Sequence, residues 1–150
     1  MSVKGKKVAI FLEKTYEDNE FWYPYFRLKE AGAEVVAIAP KKDTYPSKHG
    51  APAQADQSID AVDASEFDAL IIPGGPGVDT LIRDPDAKKL VKAFIDAGKP
   101  VCALGEAVAE LAALTGKEGV EGDAGLALNG EVFAGGGETA REDAVEAFAN

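Results

Sequence analysis

The sequence predicts an α/β fold, a doubly wound and mostly parallel sheet with helices on both faces and a hairpin near its C-terminal end. Apolar runs at residues 8–12, 35–39, 69–72 and 101–104 lack the polar alternation of half-exposed strands, which is the pattern of strands buried on both faces. Segments of helical periodicity separate these runs, so each strand can return to lie parallel to the last. Finally, Asn129-Gly130 between residues 126–128 and 131–133 is a tight-turn signal for a terminal hairpin.

Each element follows in order. Residues 8–12 form the first strand and residues 20–31 a helix, in which Pro24 either introduces a kink or moves the start to about Tyr23. Residues 35–39 form the second strand, and residues 40–57 are the most irregular stretch. The central strand spans 69–72. Asp79 is expected to cap a short helix over 80–83. Asp84-Pro85 opens the next helix with proline at its first position. Lys88, Leu90, Val91, Phe94 and Ile95 follow at helical spacing, and Gly98 closes it. Residues 101–104 are a short strand, Gly105 is a sharp corner, and residues 106–114 are a helix of Ala, Leu and Glu. Thr139 and Glu142 form a capping box for a last helix ending near Phe148. The sum is a flavodoxin-like sandwich with its ligand crevice at the carboxyl ends of the strands.

With 150 residues, 46% of them hydrophobic, the chain supports one sizeable core, so residues 1–150 are read as a single domain. Sixteen basic and twenty-six acidic side chains give a net charge of −10, which disfavours nucleic acid and anionic membrane surfaces as partners. One cysteine allows no internal disulfide. No apolar run approaches the roughly 20 residues needed to cross a bilayer, and no signal-like core follows Met1, so a cytoplasmic protein is expected. No cofactor or metal is predicted. One histidine and one cysteine are too few for a zinc site made from those ligands alone.

The strand–Gly105–helix corner has the form of a nucleophile elbow. Such corners hold a reactive side chain in strained backbone geometry, which glycine adopts without a Cβ clash. Around it stand Tyr16-Glu17-Asp18-Asn19-Glu20, Tyr23-Pro24-Tyr25-Phe26-Arg27-Leu28, Lys48-His49-Gly50, Phe67-Asp68-Ala69-Leu70-Ile71-Ile72-Pro73-Gly74-Gly75 and Gly98-Lys99-Pro100-Val101. In this order, these blocks closely resemble the ThiJ/PfpI superfamily, especially its PfpI-type intracellular peptidase and deglycase branch. The similarity is continuous over roughly the first two-thirds of the chain. The family elbow reads Cys-His-Gly-Pro, and its positions here are Gly105, Glu106, Ala107 and Val108. The resemblance therefore implies an elbow whose nucleophile position is vacant.

The same resemblance makes Glu17 the match for the glutamate that hydrogen-bonds the family cysteine and shuttles protons. The residues alone also allow Glu17, Asp18 and Glu20 to serve the first turn of a helix. Glu106 stands where the family has histidine. If Glu17 and Glu106 converge, their repulsion would raise one pKa or recruit a cation. The resemblance places the amides of Gly74 and Gly75 in the oxyanion pocket, puts Asp79 near an acidic residue that completes a neighbouring subunit's site, and matches His49 to a family loop. Cys102, inside an apolar strand, reads as a small buried hydrophobe. Neither Gly74-Gly75 nor Gly135-Gly136-Gly137 has the features of a nucleotide loop.

Two functions fit these residues. One is a non-nucleophilic, homo-oligomeric binding or structural member of the family. Phe21, Trp22, Tyr23, Tyr25 and Phe26 are too aromatic for one buried stripe, and the resemblance implies dimers or higher oligomers. The other is a Cys-independent hydrolase or lyase in which Glu17 and Glu106 act on small carbonyl or acyl compounds. A flavin or phosphate ligand rests on fold analogy alone. The short stretch from Thr115 to the hairpin predicts a pocket more open than the family's.

Overall fold

The computed structural model describes residues 3–114, 124–128, 131–135 and 145–146. Its main sheet has seven strands in the order β5-β2-β1-β6-β7-β8-β9. These are β1 (Lys7–Phe11), β2 (Glu34–Ala39), β5 (Gln57–Ser58), β6 (Ala69–Ile72), β7 (Val101–Leu104), β8 (Ala124–Leu128) and β9 (Glu131–Gly135). The first five pair in parallel, whereas β7–β8 and β8–β9 are antiparallel. The fold is therefore the flavodoxin-like α/β sandwich that the apolar runs predict.

Strand side chains alternate between two cores, as a period of two requires. Val8, Ile10, Val35, Ala37, Ile71 and Cys102 pack on one face, with Phe21 and Leu28 of helix α1 (Asp18–Glu30) and with Val145. Ala9, Phe11, Val36, Ile38, Leu70, Ile72, Val101 and Ala103 pack on the other. That second face is covered by α2 (Val78–Arg83), α3 (Pro85–Asp96) and α4 (Ala107–Leu114) through Leu81, Leu90, Val91, Phe94 and Leu111. Helices on both faces explain why β6 and β7 are buried along their whole length.

Local chemistry sets the helix starts. Asp84 accepts hydrogen bonds from the amides of Asp86 (2.9 Å) and Ala87 (3.4 Å), and Pro85 occupies the first turn of α3, where its missing N–H is harmless. Pro24 lies buried inside α1, which begins at Asp18 and continues to Glu30, so the start does not shift to Tyr23. The stretch 40–57 contains structure that its sequence hides: β3 (Thr44–Pro46) and β4 (Pro52–Gln54) form a small antiparallel pair, followed by β5. The hairpin predicted around Asn129-Gly130 is present as β8–β9, although those two turn residues lie outside the described ones. So do Thr139, Glu142, Gly136, Gly137 and the shortened segment 115–123. Of the last predicted helix, Val145 and Glu146 are described, and both are helical. Arg27 donates through Nε (2.7 Å) and Nη2 (2.9 Å) to the two oxygens of Glu146, which joins this segment to α1.

Candidate functional site

The candidate site lies at the carboxyl ends of β1, β6 and β7, where three connections meet. Strand β6 runs into Pro73-Gly74-Gly75, β7 into Gly105-Glu106, and β1 into the loop before α1. Glu17 N donates to Gly74 O (3.1 Å), which ties the first loop to the glycine turn. Thr15 in that loop has φ +60, a conformation that a residue with a Cβ adopts only at a cost, and such residues gather at ligand sites. Its N–H donates to Pro46 O (2.8 Å), so the strained turn is held from the β3 side.

Gly105 is the corner between β7 and α4 and has φ +55. A Cβ built on it would stand 2.6 and 2.7 Å from the two carboxylate oxygens of Glu20. Those are well inside ordinary van der Waals distance, so the volume that an elbow side chain would need is occupied by a carboxylate. Glu20 is 3% exposed and accepts a hydrogen bond from Gly74 N (3.0 Å). Glu106 accepts from Gly75 N (2.8 Å) and its side chain reaches the same place from the solvent side. A Cβ on Gly74 would lie 2.5 Å from Glu20 Oε1 and 2.6 Å from Glu106 Oε2, so the two carboxylates are neighbours across one point.

Glu17 does not occupy the position expected of it. It is the N-cap residue of α1, with extended backbone (φ −74, ψ 118) and no side-chain capping bond, and its carboxylate lies 3.5 Å from Lys48 Nζ. The carboxylate against the elbow is Glu20, three residues later. A helix that starts at Asp18 turns its third residue inward, on the stripe that continues through Phe21, Pro24 and Leu28. That stripe was the available signal: a glutamate aligned with buried positions at helical spacing.

Gly74 and Gly75 follow β6, and their amides donate to Glu20 and Glu106. An oxyanion would find both of these donors taken. His49 is exposed and lies beside Glu17 and Asp18. Asp79 is not a helix cap: α2 begins at Val78 behind Gly77, and Asp79 pairs with Arg83 at 3.1 Å. It also faces Glu110 of α4, whose pKa is raised by partial burial and then by the hydrogen bond and negative charge of Asp79.

The raised value fixes a sign. Folded Glu110 holds its proton more tightly than the unfolded chain does, so its ionised form costs stability above the folded pKa. The cost disappears once the pH falls below the ordinary 4.5. Glu110→Gln is therefore expected to raise Tm at neutral pH and to give no gain near pH 4, a comparison that two thermal melts make.

Cys102 is completely buried in β7, and burial pushes its thiol up to about 12. A thiol so disposed is protonated at neutral pH and has no path to a ligand in the crevice. Among the described residues, no helix is long and apolar enough to cross a membrane.

A strand-end crevice with a glycine-rich turn and a strand–corner–helix elbow defines an α/β protein of the nucleophile-elbow class. The model of the DJ-1/PfpI family matches residues 6–146, and the chain belongs to that family. General stress protein 18 of Bacillus subtilis is 43% identical over 102 residues, covering 67% of this chain and 59% of that protein. Protein/nucleic acid deglycase 2 of Escherichia coli is 38% identical over 102 residues, with the same coverage of 67% and 59%. The chain thus spans about three-fifths of the length of these curated relatives. A solved ThiJ/PfpI domain protein from Brachyspira murdochii superposes with a TM-score of 0.81 over 97% of this chain and 95% of that one, and at 22% identity it shows the shared fold.

Proposed function

We propose that this chain is a non-nucleophilic member of the DJ-1/PfpI family that acts by binding at the crevice rather than by covalent catalysis. One observation carries the proposal: Glu20's carboxylate fills the space where a side chain on Gly105 would stand. The engaged amides of Gly74 and Gly75 support it, because the site as folded offers acceptor oxygens and lacks these two donors for an oxyanion. A small ligand bearing N–H donors, such as an amine or guanidinium, suits such a surface better than an acyl or phosphoryl group does. Self-association belongs to the same proposal. It is supported by the α1 aromatic face, where Phe26 is 60% exposed and Tyr23 is 37% exposed, and sedimentation velocity would show a monomer if it is wrong.

A second function draws on the two neighbouring carboxylates. Glu20 and Glu106, rather than Glu17 and Glu106, are the pair that could divide acid and base roles on a small carbonyl compound, since their carboxylates meet beside Gly74. Turnover of methylglyoxal, methylglyoxal-modified amino acids and peptides separates the two. Binding alone predicts no rate above the buffer background. Turnover abolished by Glu20→Gln or Glu106→Gln but retained by Cys102→Ser would establish acid/base catalysis instead.

A further inference from the structure

The geometry points to a divalent metal site outside the elbow, formed by Glu17, Asp18 and His49 and suited to a first-row transition ion such as Zn2+. One ligand atom from each residue lies within 4.8 Å of the others, close enough to share one ion. His49 is 31 and 32 positions away from the carboxylates in sequence, and the fold brings it to them. An isolated parallel bridge pairs Tyr16 with Ser47, and Lys48 N donates to Tyr16 O (2.8 Å). Ser47 Oγ then accepts from His49 N (3.1 Å) and Ala51 N (2.8 Å), which fixes the loop that carries the imidazole.

A second observation, independent of the grouping, concerns Asp18. Its Oδ1 is fully buried and has no hydrogen-bond partner among the described residues. A buried carboxylate oxygen left without a donor is costly, and a bound cation removes that cost. The competing contact is weak. Lys48 Nζ stands 3.5 Å from Glu17 Oε2 with half of its side chain exposed, so an ion can displace it at little loss. The donor set selects the ion: an imidazole nitrogen with two carboxylate oxygens suits zinc and its neighbours better than it suits calcium or magnesium, which take oxygen alone. Water would complete the coordination, since His49 is exposed.

His49 is the sole histidine of the chain, so any imidazole signal reports this site. EDTA-stripped protein titrated with Zn2+ is expected to bind one ion saturably, to shift the imidazole nitrogen resonances, and to gain in Tm. His49→Ala and Asp18→Asn should each weaken binding by about tenfold or more while leaving the circular dichroism spectrum unchanged. No saturable binding would overturn the site. So would saturable binding that survives His49→Ala, or that is lost in Glu106→Gln, which would move the ion to the crevice.

Discussion

Replacing Gly75 with alanine is expected to cost the fold roughly 3–5 kcal/mol. Two penalties coincide there. Gly75 has φ +114, a region that residues with a Cβ avoid. The added carbon would also stand 2.6 Å from Thr15 O and 2.7 Å from Glu17 N. Both are backbone atoms, and the loop that carries them is tied down by Thr15 N to Pro46 O and Glu17 N to Gly74 O. Nothing flexible can yield. Urea denaturation followed by circular dichroism reads the loss, and a change below about 1 kcal/mol would mean that the glycine turn is looser than its contacts indicate.

Gly105→Ala is the second, at roughly 2–4 kcal/mol, from left-handed strain at φ +55 together with overpacking against Glu20. Here the obstructing atoms are the end of a side chain, which changes the prediction. In a Glu20→Ala background the packing part should vanish and the strain part remain. A double-mutant cycle is therefore expected to show coupling of about 1–3 kcal/mol between the two positions. Additive losses would place Glu20's carboxylate away from the elbow and remove the main support for a vacant nucleophile position.

Much of the fold was legible because both-face burial writes itself into composition. The runs at 69–72 and 101–104 coincide with β6 and β7, and Asp84-Pro85 announces α3 through chemistry that acts within one turn. The β3–β4 pair was not legible. Each strand is three residues long with proline at one end, so neither alternation nor β-propensity accumulates over a useful window. The elbow glycine was legible because the corner is local to the chain. What fills its space was not, since Glu20 reaches it from another element, and a shift of three residues along a helix decides which acidic side chain faces inward. The same holds for His49, whose neighbours are set by the bridge between Tyr16 and Ser47 and by no feature near it in sequence.

One relative is named protein/nucleic acid deglycase 2, and the function proposed for this chain differs from that name at the elbow. The amides of Gly74 and Gly75 donate to two carboxylates, and the one thiol of the chain is sealed in the core. The carboxylate that stands where a Cβ on Gly105 would lie also accepts from Gly74 N, so one side chain accounts for both features.

Native-state alkylation tests this most directly. Folded protein and a cysteine-containing peptide are exposed together to iodoacetamide at neutral pH, and intact mass is followed while turnover of methylglyoxal is recorded. The peptide should be fully modified while Cys102 stays unmodified until denaturant is added, with no turnover to inhibit. Rapid stoichiometric modification of Cys102 in the folded protein, accompanied by loss of a measurable rate, would contradict the account.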